Sequence, residues 1–340
     1  MNNDKILAIP HNLEEIAPNR PLYPITPPRH TGNLQVSDLH TLYYSLYGDP
    51  NGIPVVVLHG GPGAGCTEFM TRYFDLSKWN LILFDQRGAV RSKPFACMEE
   101  NTTQDLVEDI EKLRKHLGVD QWLIFGGSWG STLGLVYGQA YPERCLGFIL
   151  RGLFLGRSDD HLHLIYGMGR HFPEAYESVV QFIPENERSD LFEAYYCRIL
   201  DPDPQIHLPA AKAFMRFDLI CSTMTPDPAR LETLLQNEAM VLSTAKSFFH
   251  YAKHNFFLEQ GQILANMNRI AHLPAILVQG RWDLICPPDM AHAVYQAWPN
   301  ATLWMVSNGG HSGLDPSIAS ALTQATEKFI LSIKRIPSIM

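Results

Sequence analysis

Three side chains in this sequence have the types and the order that nucleophilic acyl chemistry requires. Ser128 lies in Gly126-Gly127-Ser128-Trp129-Gly130, a G-x-S-x-G pentapeptide between an apolar run and a second, helix-like run. A serine at a sharp strand-to-helix turn is held in a strained backbone. Glycines two positions to either side remove the side chains that would block the turn. The hydroxyl then stands at a helix N-terminus, where the dipole favours developing negative charge. The same pentapeptide could be a tight packing corner with an idle serine, so its partners decide. Serine is a weak nucleophile without a base, and this motif calls for an aspartate and then a histidine downstream. Asp283 in "VQGRWDLICPP" and His311 in "VSNGGHSG" each follow an apolar, strand-like run.

Acyl transfer also needs donors for the tetrahedral oxyanion. The backbone N–H of Trp129, directly after the serine, is one candidate. Gly61 in the glycine-rich "VLHGGPGAGC" (57–66) is the other, with Gly60 beside it facing substrate. That loop has neither of the glycine spacings that cradle nucleotide phosphates. His161, His163 and His171 in "HLHLIYGMGRHF" lack a carboxylate or cysteine at helical spacing that would complete a metal set. The expectation is therefore an enzyme with no metal and no cofactor.

Such side chains must be brought together by rigid elements. "PVVVLHG" (54–60), "WNLILFDQRG" (79–88), "QWLIFGGSWG" (121–130) and "CLGFILRG" (145–152) read as buried strands. Before them, residues 33–48 read as a hairpin or meander, and residues 1–35 include an irregular, proline-rich arm. Between strands, residues 101–119 place Leu106, Ile110, Leu113 and Leu117 on one helical face behind Asn/Thr caps. This alternation predicts a mainly parallel α/β sheet flanked by helices. It lapses between about 153 and 265, where the pattern is helical, aromatic and proline-broken, and resumes at 273. We read a core of residues 1–152 and 270–340 with a helical lid, 153–269, inserted over the ligand crevice.

Composition narrows the function classes. With 46% hydrophobic residues, a net charge of −8 and no basic stripe, nucleic acid is not an expected partner. The longest apolar runs are strand-length and too short to span a membrane. The N-terminal stretch lacks a secretory pattern, and the six cysteines are scattered without metal or redox spacing. Together these predict a soluble, cytoplasmic protein with reduced thiols, acting on a small molecule or peptide.

From about Tyr23 to Phe329 the chain resembles the proline iminopeptidases (prolyl aminopeptidases). The resemblance is carried by "HGGPGAG" (59–65), "DQRGAVRSKP" (85–94), "GGSWGSTLGLVYGQAYPE" (126–143), "LRGLFLGR" (150–157), "GRWDLICPP" (280–288) and "GGHS" (309–312). It implies an α/β-hydrolase fold with an inserted lid. It also implies release of N-terminal proline through an acyl-serine, and a triad on Ser128, Asp283 and His311. An exopeptidase must hold a free ammonium, and the family does so with lid glutamates. By the resemblance, Asp218 takes the place of one and Lys253 the place of the other, with Glu238 or Glu259 as possible substitutes for the second. A lysine facing an ammonium repels it, and in "AAKAFMRFDLI" (210–220) phenylalanines replace the two tryptophans the resemblance leads one to expect, so an esterase or amidase with altered lid specificity is the alternative. Val90 stands where the family has glycine and is expected to alter that loop's backbone, while Asp85 and Arg87 are expected to fix it.

Overall fold

The computed structural model describes residues 19–157 and 160–333. Its frame is an eight-stranded sheet in the order β1-β2-β4-β3-β5-β6-β7-β8. The strands are β1 (His30–Gln35), β2 (Thr41–Gly48), β3 (Ile53–Leu58), β4 (Trp79–Phe84), β5 (Trp122–Ser128), β6 (Cys145–Leu153), β7 (Ala275–Gly280) and β8 (Ala301–Val306). The first two form the expected hairpin, β2 joins β4 antiparallel, and every later pairing is parallel. Strands covered on both faces can be apolar throughout. Val55, Val56, Val57 and Leu58 of β3 and Leu123, Ile124 and Phe125 of β5 are all buried, split between cores on the two sides of the sheet.

Helices α1 (Thr103–His116), α2 (Trp129–Ala140), α10 (Pro288–Gln296) and α11 (Pro316–Ile333) flank this sheet. The Thr102 hydroxyl accepts from the Asp105 amide while the Asp105 carboxylate accepts from the Thr102 amide, a capping box that starts α1. Leu106, Ile110 and Leu113 are buried on its inner face. The segment between β6 and β7 is helical. It comprises the short α3 (Asp160–Leu162), then α4 (Pro173–Phe182), α5 (Leu191–Ile199), α6 (Pro204–Cys221), α7 (Pro228–Leu235), α8 (Glu238–Lys253) and the one-turn α9 (Gln262–Ala265). At the other end of the described chain, Tyr23 and Arg20 tie the irregular arm to Glu327 of α11. Residues 1–18 of that arm lie outside the described residues.

The 85–94 loop is fixed largely as its charges predict. Arg91 and the Cys66 amide both bond the Asp85 carboxylate, and Arg87 pairs with buried Asp109 at 2.6 Å. The expectation for Val90 is corrected. It does adopt the left-handed backbone, at φ 30°, because this network holds the turn on either side of it.

Candidate active site

Ser128 ends β5 and caps α2 with φ 57° and ψ −128°, a conformation that costs a non-glycine residue roughly 1–3 kcal/mol. The flanking glycines explain how the turn closes. A Cβ on Gly126 would strike the Gly130 carbonyl, and one on Gly130 would strike the Leu58 carbonyl. The strain therefore lifts the serine out of the sheet, while α2 begins immediately behind it.

Asp283 and His311 follow β7 and β8, so neighbouring parallel strands deliver both to the same sheet edge as Ser128. The carboxylate of Asp283 is fully buried and almost saturated. It accepts from the amides of Ile285 and Cys286, from Nε2 of Gln279 at 3.2 Å, and from His311 Nδ1 at 2.9 Å. With Nδ1–H committed to Asp283, His311 Nε2 is left with its lone pair. Nη1 of Arg151 lies 3.3 Å from that nitrogen and donates to the His311 carbonyl at 2.9 Å. Among the described residues no hydrogen bond joins Ser128 Oγ to His311. This contact is commonly long in unliganded hydrolases and tightens with substrate.

The oxyanion side is built by a network the sequence reading did not include. The Gln86 amide donates to His59 Nε2 at 2.9 Å, which fixes Nδ1 of His59 as the donor to the Gly60 carbonyl. Burial lowers the pKa of His59, so it remains neutral in this role. Gln86 also bonds the His59 carbonyl and accepts from the Trp129 indole at 2.9 Å. The "HGG" turn and the residue after the nucleophile are thus held by one side chain. Gly61 has φ 111°, open to glycine alone, and its N–H has no acceptor among the described residues. The Trp129 N–H is the first of α2, where no intrahelical acceptor exists. Gly60 packs against the nucleophile; a Cβ there would come within 3.2 Å of Ser128 Cβ.

A cavity of about 330 Å³ lies between sheet edge and lid. Ser128, Gly60, Gly61, Trp129, His311 and Asp218 all line it. Asp218 reaches it from α6, on the face formed with Met215, Leu219 and Ser222 at helical spacing. Its carboxylate has no hydrogen bond or ion pair among the described residues. Withdrawal from water raises its pKa from 3.8 to about 6, opposed only by the charge of His311.

Lys253 is corrected as a substrate-binding residue. It does not line the cavity. It extends from the last turn of α8 to Glu193 at 2.5 Å, across the Tyr196 ring, and is 40% exposed. Thr244 and Phe248 are the cavity face of that helix, and five further residues turn Lys253 roughly 140° away. Glu238 is likewise outside the cavity, paired with Lys212, and Glu259 is not among the cavity residues. The acid missed from the sequence is Asp160, which also lines the cavity but is held by the backbone and guanidinium of Arg157. Arg151 is a second omission. Its signal was an arginine inside the apolar run "FILRGL", which strand pairing places beside Gly127. Of the histidines considered for metal, His161 lines the cavity and His163 bonds the Leu284 carbonyl.

A strained serine between converging strand ends, a carboxylate-oriented histidine and a prepared pair of amides define a serine hydrolase of the α/β-hydrolase fold. The alpha/beta hydrolase fold family matches residues 53–316. The "Probable proline iminopeptidase" of Leptolyngbya boryana is 47% identical, covering 92% of this chain and 97% of its own. The proline iminopeptidase of Arabidopsis thaliana is 42% identical over 94% of this chain and 84% of its own. The chain belongs to the proline iminopeptidase family. Solved structures at 17% identity show the same fold: a proline iminopeptidase of Mycobacterium smegmatis (TM-score 0.56, covering 89% of this chain and 100% of that one) and an esterase of Rhodococcus sp. ECU1013 (TM-score 0.59, 89% and 98%).

Proposed function

We propose that this protein releases N-terminal proline from peptides through an acyl-enzyme on Ser128. The observation that carries this reading is the single cavity shared by Ser128, His311 and the unpaired carboxylate of Asp218. Asp218 takes the substrate's ammonium, which in a partly buried site needs an anion. Ser128 Oγ attacks the prolyl carbonyl, and its proton passes to His311 Nε2. Asp283 stabilises the resulting imidazolium, and the amides of Gly61 and Trp129 take the oxyanion. Collapse breaks the C–N bond, with the proton on His311 going to the leaving amine. Water, deprotonated by the same histidine, then hydrolyses the prolyl ester and regenerates Ser128. Arg151 must yield His311 Nε2 to Ser128 in the first step.

The esterase alternative was motivated in part by a lysine looking down on the nucleophile, beside the phenylalanines that replace the family's two lid tryptophans. Lys253 is turned to the surface and paired with Glu193, so that part of the motive is gone. All six cysteines lack a disulfide partner, which supports a reducing, cytoplasmic setting. Among the described residues no helix is long and apolar enough to cross a membrane. Assays with proline β-naphthylamide and with acetyl and butyryl esters test the reading. Rapid turnover of the proline amide is expected; turnover of the esters alone refutes it.

A further inference from the structure

The lid reaches the catalytic cavity through a second helix, α8, and one side chain on it is not accounted for by the fold. Met240, Thr244 and Phe248 line the cavity at helical spacing. Thr244 is 6% exposed, and its hydroxyl has no hydrogen-bond partner among the described residues. That is unusual inside a helix, where a threonine can donate to the carbonyl three or four residues back. The neighbouring Ser243 uses that outlet, with its Oγ 2.8 Å from the Ala239 carbonyl. Thr244 does not, so a buried O–H is left without an acceptor, a costly arrangement unless a ligand supplies one.

Thr244 is also held in a defined place. Ser243 Oγ lies 2.8 Å from the Gly63 carbonyl, and a Cβ on Gly63 would strike the Ser243 carbonyl and the Ser247 hydroxyl. The bare Gly63 thus lets α8 dock directly on the "HGGPG" turn. One residue along α8, the Thr244 methyl is 3.4 Å from the position a Cβ of Gly61 would take. The hydroxyl shares a carbon with that methyl. It therefore stands beside the turn whose Gly61 amide is placed to receive the oxyanion, in the cavity that Ser128 also lines.

We propose that the Thr244 hydroxyl is a third donor to the oxyanion, brought to the site by the lid. This rests on the acyl-enzyme reading for Ser128. The orphaned group is a donor, so its complement is an acceptor. In acyl transfer the acceptor that develops beside Gly61 is the former carbonyl oxygen, neutral in the substrate and charged in the tetrahedral intermediate. A substrate ammonium offers only N–H donors and would leave the Thr244 proton without an acceptor. Hydrogen bonds to a charged oxygen are the stronger ones. The hydroxyl therefore acts on the chemical step more than on binding.

Thr244→Val keeps the shape and removes the donor, and Thr244→Ser restores a hydroxyl. With proline β-naphthylamide, Thr244→Val should lower kcat by about 10- to 100-fold and leave KM within about twofold. The amine-free cyclopentanecarbonyl β-naphthylamide should lose the same factor, and Thr244→Ser should recover most of it. The melting temperature of Thr244→Val should not fall, because the hydroxyl it lacks had no partner to lose. An unchanged kcat, a loss in KM alone or a lower melting temperature overturns the assignment. So does a loss confined to the proline amide, which would put the hydroxyl at the ammonium instead. If the wild type turns over butyryl esters but not proline amides, the aminopeptidase reading falls alone, and the same drop in kcat on the ester upholds the donor. If Ser128 is not acylated by any of these substrates, both fall.

Discussion

Replacing Asp218 by asparagine should make the protein more stable and a poorer aminopeptidase at once. The carboxylate has been moved into a cavity without a partner, and its pKa rises from 3.8 to about 6. The folded chain therefore retains a proton that the unfolded chain has already lost between pH 3.8 and about 6. Stability falls across that window as pH rises, and the full penalty is present above about pH 6. A little over two pH units at about 1.4 kcal/mol each gives about 3 kcal/mol. Asparagine keeps the shape and removes the charge. For 340 residues the unfolding entropy scale converts this to a melting-temperature gain of about 4 °C at pH 8, fading towards pH 4.5.

The catalytic side of the same substitution has the opposite sign. Without the carboxylate, a substrate ammonium enters the cavity uncompensated, and a lost charge-assisted bond lowers kcat/KM for proline β-naphthylamide by about 10- to 100-fold. The cyclopentanecarbonyl analogue has the same ring without the amine, and its turnover should change little. Differential scanning calorimetry at two pH values and kinetics with the paired substrates measure both halves. A lower melting temperature at pH 8, or an unchanged kcat/KM for the proline amide, would refute the assignment of Asp218.

In the wild type, kcat/KM for proline amides should fall as pH drops through about 6, where Asp218 takes up its proton, beyond any fall for the amine-free analogue; parallel profiles for the two would count against it. Ser128→Ala should abolish fluorophosphonate labelling and lower kcat by about 10⁴-fold or more, measured on folded protein. Lys253→Ala should leave KM for proline β-naphthylamide within about twofold and cost about 1 kcal/mol or less, since its partner Glu193 is also at the surface. Asp109→Ala leaves the buried Arg87 guanidinium with its principal partner gone, and denaturant unfolding should register a loss of about 3–5 kcal/mol.

What could be read in the sequence was whatever obeys local rules. The pentapeptide around Ser128 announces its turn because two carbonyls forbid side chains at Gly126 and Gly130. The capping box at Thr102 and the apolar strands are equally local. Asp283 and His311 were legible because parallel topology sends each strand's exit to the same edge. His59, Gln86 and Arg151 act only through tertiary contacts: Gln86 reaches the Trp129 indole from another strand's exit, and Arg151 reaches His311 through a register no local pattern states. Lys253 was misplaced for a related reason. A resemblance carries positions along a chain, but the direction of a side chain at a helix end depends on rotation, and a few residues turned it to the surface.

The division between core and lid explains why chemistry was easier to read than specificity. The residues proposed as nucleophile, base and oxyanion amide donors all come from the core, each fixed by backbone constraints that admit few residue types. The residue proposed to take the ammonium, Asp218, comes from a helix face of the inserted segment, where many sequences satisfy the same packing. The two parts meet at the histidine loop. The Ser312 amide donates to the Ser222 carbonyl at 2.7 Å, and Asp315 holds both the Gly310 amide and the Thr223 hydroxyl. His311 is therefore positioned from below by Asp283, while its own loop is pinned from above by the end of α6. That end of α6 also carries Asp218. If Asp218 takes the ammonium as proposed, its recognition and the orientation of the base depend on the same helix terminus, and reshaping the lid for a different substrate should disturb the loop that holds the base.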